Sequence, residues 1–79
     1  MSIPPGLTAE ELSAALSTGG YAVTRQTSAH VRVTTLVRGE HHVTFPRNGP
    51  LSIDTTTAVL ASVAKHHHQT VAEMSVRLF

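Results

Sequence analysis

The sequence predicts an α+β domain in which helices cover one face of a three-stranded antiparallel sheet. The chain has 79 residues, which is the length of a single domain. Apolar residues recur at helical spacing towards both ends, and the middle third alternates between apolar and polar residues as strands do. The predicted order is helix, three strands, helix and a short final helix. If both long helices pack their apolar faces on one side of the sheet, the other side of the sheet stays polar and open.

The first helix is predicted to follow an irregular N-terminal arm, residues 1–6 of the single domain 1–79. Thr8 fits the N-cap and Glu11 the third helical position, which together make a capping box. Leu12 and Leu16 lie on one face of this helix. Two consecutive glycines then end it.

Three strands are predicted over residues 21–26, 30–37 and 41–45, because these segments alternate and are rich in β-branched residues. Short turns at residues 27–29 and 38–40 join them. A three-residue second turn brings apolar residues opposite one another. The predicted pairs are Val37 with His41, Thr35 with Val43, and Val33 with Phe45. The polar face then carries His30, Arg32, Thr34, His42 and Thr44.

Two helices complete the predicted domain after a loop rich in proline and glycine. Either Asp54 or Thr55 is expected to cap the longer helix, which runs to about residue 67. Thr70 and Glu73 form a second capping box, which opens the short final helix.

Composition limits the classes of function. There is no cysteine, so disulfides and thiolate metal sites are excluded. The formal net charge of +1 is not the strongly basic balance of a nucleic-acid-binding protein, so any such binding must depend on local placement of charge. No apolar run has the length of a membrane span, and the N-terminus lacks the pattern of a signal peptide. We therefore expect a cytoplasmic protein without membrane partners.

Two motifs resemble the signatures of the HicA family. Residues 20–32, GYAVTRQTSAHVR, resemble a glycine-aromatic pair leading into an Arg-Gln strand, a Gly-Ser-His turn and a second strand. Residues 43–48, VTFPRN, resemble a strand that ends in Pro-Arg-His. The helical close over residues 70–78 is also similar, and the element order is that of a double-stranded-RNA-binding domain. The resemblance covers roughly residues 7–79.

The resemblance implies an mRNA interferase that works without the ribosome, needs no cofactor and is blocked by a HicB-like antitoxin. The family's catalytic histidine corresponds to His30. Three positions depart from the family pattern: Ser28 replaces a glycine, Ala29 a serine and Asn48 a histidine. A non-catalytic module that binds RNA or an antitoxin is therefore the alternative.

The residue types fit metal-independent RNA cleavage, in which the neighbouring 2′-hydroxyl attacks the phosphorus. A histidine can take or give the proton at neutral pH. His30 follows a turn on the polar face, and Arg32 on the same face can hold a phosphate. An exposed strand histidine without function is the other interpretation of His30. The residues expected to contact RNA are Arg25, Gln26, Ser28, Arg32, Arg47 and Asn48.

The other histidines are weaker candidates. His41 is predicted to face the edge of the core and His42 the polar face, so both cannot face one substrate. The run His66, His67 and His68 is a poor metal site, because adjacent helical residues point about 100° apart. We therefore expect no metal.

Overall fold

A helix, three antiparallel strands and two further helices make up the computed structural model, which describes residues 3–79. The predicted α+β order, with its short C-terminal helix, is confirmed. Met1 and Ser2 of the predicted arm lie outside the described residues, and residues 3–6 contain neither helix nor strand. The elements are α1 (Ala9–Ser17), β1 (Ala22–Gln26), β2 (His30–Thr35), β3 (His41–Pro46), α2 (Ile53–His66) and α3 (Val71–Leu78).

Both predicted capping boxes are present. The Thr8 hydroxyl accepts from the Glu11 N–H at 3.1 Å, and the Glu11 carboxylate accepts from the Thr8 N–H at 2.9 Å. Thr70 and Glu73 repeat this arrangement at the start of α3. These reciprocal bonds satisfy N–H groups that a helix start otherwise leaves without partners.

The predicted cap of α2 at Asp54 or Thr55 is wrong, because the N-cap is Ser52. Ser52 has an extended backbone, with ψ 155°, and its hydroxyl accepts from the Thr55 N–H at 3.1 Å. Asp54 instead lies in the first turn, where a negative charge favours the positive end of the helix dipole.

The predicted register between β2 and β3 is also wrong, by two residues. The observed pairs are Thr35 with His41, Val33 with Val43, and Val31 with Phe45. β2 ends at the buried Thr35, whose hydroxyl accepts from the Val37 N–H at 3.1 Å, so the connecting loop is residues 36–40. A shift of two residues does not change which face a side chain occupies. The predicted polar face is therefore correct.

A β-bulge interrupts β1 at Thr24. Val23 pairs with Val33, but Arg25 pairs with Arg32, so Thr24 is the extra residue. Thr24 and Arg25 both lie on the open polar face, whereas Val23 and Gln26 line a cavity beside α1. In a regular strand with this sequence, Arg25 would alternate to the helix-covered side.

The core lies between the sheet and the three helices. Every helix contributes to it, and Val31, Val33, Val43 and Phe45 contribute from the sheet. The opposite face of the sheet carries no helix, so its polar side chains are accessible. Within residues 3–79, no helix has the length and apolar character needed to span a membrane.

Candidate functional site on the open sheet face

An open cavity of about 350 Å³ lies on the polar face of the sheet, near the turn between β1 and β2. Its lining residues are Arg25, Thr27, His30, Arg32 and Thr44. The structure thus brings together the predicted catalytic residue and two of the predicted RNA-binding arginines. All three strands contribute, and the bulge in β1 is what places Arg25 among them.

The cavity is cationic although the whole chain is nearly neutral. Arg25 and Arg32 are direct cross-strand partners, an arrangement of like charges that costs stability in a sheet. Within residues 3–79 no hydrogen bond or ion pair occupies the side chains of Arg25, His30 or Arg32, and the Arg32 Nε atom is buried without a partner. The site therefore offers unpaired donors to an anion, and guanidinium groups match phosphate oxygens well.

No carboxylate of the described residues 3–79 lines this cavity. Four of the five acidic residues lie in the first turns of the helices, and the fifth, Glu40, contacts His42. The cavity is therefore positively charged because of where the charged residues lie, although the net charge of the chain is only +1.

Thr27 fixes the backbone of the turn that carries His30. Its hydroxyl accepts from the N–H groups of Ala29 and His30, at 3.2 and 3.0 Å, and its own N–H donates to the His30 carbonyl at 2.9 Å. The imidazole of His30 is exposed above the cavity. Sequence reasoning missed Thr27 as a site residue, although a threonine three positions before a strand start is a typical turn signal.

Arg47 and Asn48, which follow β3, bond to the backbone of the same turn. The Arg47 guanidinium donates to the Thr27 carbonyl at 3.0 Å, and the Gln26 amide, oriented with its oxygen inward, accepts from Nε and Nη2 at 3.0 and 2.9 Å. The Asn48 amide donates to the Ser28 carbonyl at 2.7 Å. The structure therefore separates Gln26, Arg47 and Asn48 from the cavity, and their contacts with RNA stay predictions.

The turn forms with Ser28 at the position where the HicA signature has a glycine. Ser28 and Ala29 are not among the described residues with positive φ, so neither is in the left-handed region that favours glycine. Both side chains are exposed. The departures at these two positions are therefore compatible with the backbone that presents His30.

His42 lies on the same face but belongs to a different group of side chains. Its Nδ1 is 2.6 Å from the Thr34 hydroxyl and its Nε2 is 2.6 Å from the Glu40 carboxylate. Thr34 is directly opposite His42 and four residues from His30, which separates the two histidines by about 13 Å along the strands. The two imidazoles therefore cannot act on one phosphate.

His41 faces the opposite way, as predicted. Its Nδ1 is 2.7 Å from the hydroxyl of the buried Tyr21, and its ring stacks on that of His66 with 4.4 Å between centroids. His67 packs edge-on against Tyr21. Burial raises the pKa of Tyr21 to about 12. Burial, followed by the positive charge of neighbouring groups, lowers the pKa of both His41 and His67.

Among residues 3–79 there is no group of three histidine or carboxylate side chains placed to hold a metal ion. Comparison of the chain with protein-family models, with curated proteins and with solved structures finds no match. The candidate site is therefore interpreted from its own geometry and charge.

Proposed function

We propose that this protein is a metal-independent endoribonuclease, the HicA-type toxin (mRNA interferase) of a toxin–antitoxin pair. The observation that supports this best is the open cavity in which the His30 imidazole lies beside two unpaired guanidinium groups without a carboxylate. An imidazole beside two cationic groups suits the cleavage of a phosphodiester, because the imidazole can move a proton while the cations stabilise the charge on the phosphate.

In the proposed reaction, Arg25 and Arg32 bind the non-bridging oxygens of the scissile phosphate. The His30 imidazole takes the proton of the adjacent 2′-hydroxyl, whose oxygen then bonds to phosphorus. The bond from phosphorus to the 5′ oxygen breaks, and that oxygen takes a proton from water. The products are a 2′,3′-cyclic phosphate and a free 5′-hydroxyl, and the proposed reaction uses neither a metal nor a cofactor.

The proposed partners are mRNA and a HicB-like antitoxin, both in the cytoplasm. The cationic face is uncovered, and a partner that carried acidic side chains there would block the cavity by charge as well as by bulk.

The second candidate function is a non-catalytic module that binds RNA or an antitoxin. Asn48, at the position of a histidine in the HicA pattern, donates to the Ser28 carbonyl, and among residues 3–79 His30 is the only imidazole that lines the cavity. Such a domain would bind the same phosphate groups without breaking a bond.

The two functions differ in what His30→Ala changes. Long mRNA is incubated with wild type and variant in excess EDTA, and binding is followed separately by fluorescence anisotropy. We expect wild type to cleave, and the variant to bind RNA but cleave it 10²–10⁴-fold more slowly. His68→Asn, which changes an exposed histidine away from the cavity, is the matched control. RNA binding without cleavage by wild type would favour the module, and absence of RNA binding would overturn both the nuclease and the RNA-binding form of the module.

A further inference from the structure

A second cavity, of about 390 Å³, opens in the groove between β3 and α2. Thr44 lines both this cavity and the cationic one, so the two are contiguous across a single residue of β3. Its hydroxyl makes no hydrogen bond within the described residues 3–79, so it is available to a ligand from either side.

The chemistry of the second cavity differs from that of the first. In the part of the chain that the structure describes, no arginine, lysine or carboxylate lines it. Its polar groups are the His42 imidazole and the hydroxyls of Thr44, Thr55 and Ser62, and its apolar groups are supplied by three small side chains, including Ala58 and Val59. A cationic cavity therefore adjoins an uncharged one that is lined by hydroxyl and methyl groups.

His42 is held in place at the mouth of this second cavity. Glu40 and Thr34 contact its two ring nitrogens at 2.6 Å each, and the Thr34 hydroxyl is 2.7 Å from that of Thr24. These contacts fix the plane of an imidazole that is otherwise exposed, and an aromatic ring of fixed orientation can stack on a base.

We infer that the second cavity binds the nucleoside attached to the phosphate in the first. This inference rests on the proposed function. A ribonucleotide joins an anionic phosphate to an uncharged sugar and base, and the two adjoining cavities present the complementary chemistry in that order. The hydroxyls and the imidazole suit the sugar hydroxyls and base edge, while the methyl groups suit the face of the base.

Ala58→Phe tests the inference, because it fills the second cavity without touching the first. Affinities of inorganic phosphate and of a nucleoside monophosphate are measured by NMR titration. For wild type we expect the nucleotide to bind at least tenfold more tightly. In Ala58→Phe we expect the two affinities to become equal, with that for phosphate unchanged. Ala61→Phe places the same ring on an exposed position of α2 that lines neither cavity, and it should behave as wild type.

His42→Leu is a second variant, in case Ala58→Phe does not fold. It removes an exposed imidazole, and it should weaken nucleotide binding while leaving phosphate binding intact. Equal affinities of wild type for phosphate and nucleotide would overturn the inference and leave the proposed function standing. Absence of phosphate binding by wild type would overturn both.

Discussion

His30 is held by its backbone and not by its side chain. The backbone bonds to Thr27 and the pairing with Pro46 fix where His30 lies, while the imidazole is left exposed and without a hydrogen bond among the described residues. Function and stability are therefore separable at this position, which is what a catalytic group on a rigid sheet requires.

We expect His30→Ala to change the free energy of unfolding by less than about 0.5 kcal/mol, as for an exposed site. Thr27→Val should cost about 1 kcal/mol, because it removes the hydroxyl that accepts from two N–H groups of the turn. Urea denaturation measures both values. A large loss in His30→Ala would show that the imidazole is structural.

The sequence could predict His30 and Arg32 as a group, because the motif and the alternation place both on one face after one turn. It could not predict that Arg25 shares this face, because that position depends on the bulge in β1. It could not predict that Gln26 and Arg47 bond to each other, because residues twenty-one positions apart meet only after the sheet folds.

Arg47→Lys tests this structural role of Arg47, because it keeps the charge but cannot make the same set of bonds. We expect a loss of about 1 kcal/mol in the free energy of unfolding, together with slower cleavage. The measurements are urea denaturation and the rate of RNA cleavage. Unchanged stability with weaker RNA binding would instead assign Arg47 a direct contact with RNA.

At the scale of the elements, the alternation of apolar and polar residues predicted the faces of β2 and β3, but it could not predict the bulge in β1 or the length of the loop between β2 and β3. Deviations such as the extra Thr24 depend on how β1 packs against α1 and β2, which no local pattern encodes. The loop of residues 36–40 likewise depends on a left-handed residue, Arg38, with φ 59°.

Arg38→Asn should raise the free energy of unfolding by about 1 kcal/mol, because asparagine tolerates the left-handed conformation better than arginine does. Arg38→Gln is the matched control: it also removes the charge but has no such preference, so its stability should stay close to that of wild type. Equal stabilisation by both variants would assign the effect to charge. Thermal and urea denaturation supply the values.

The chain has no cysteine, so its core is held by apolar packing without disulfides. A cluster of aromatic and imidazole rings, formed by Tyr21, His41, His66 and His67, joins the sheet to the end of α2. His67 is 7% exposed and its Nε2 atom has no hydrogen-bond partner. His66 and His67 therefore serve this packing, a role that their spacing along the chain does not indicate.

We expect this cluster to make the fold sensitive to acid. The pKa values of His41 and His67 are lowered in the folded protein, by burial first and then by nearby cationic groups that include His66. Below the ordinary histidine pKa of about 6.5 the unfolded chain therefore binds more protons than the folded one. Stability is complete above that pH and is lost as the pH falls towards the lowered pKa values. We expect the melting temperature to be constant from pH 8 to about 7 and to decline steadily below about 6.5.

His67→Phe keeps an aromatic ring against Tyr21 but removes one titrating group, so it should make the decline of melting temperature with acid shallower. His68→Gln, which alters an exposed neighbour outside the ring cluster, is the control and should follow the wild-type profile. Melting temperatures by circular dichroism between pH 5 and 8 decide the question. If His67→Phe kept the full wild-type slope, the acid sensitivity would have to arise outside His67. His41, which bonds to Tyr21 and stacks on His66, would then be the next residue to replace.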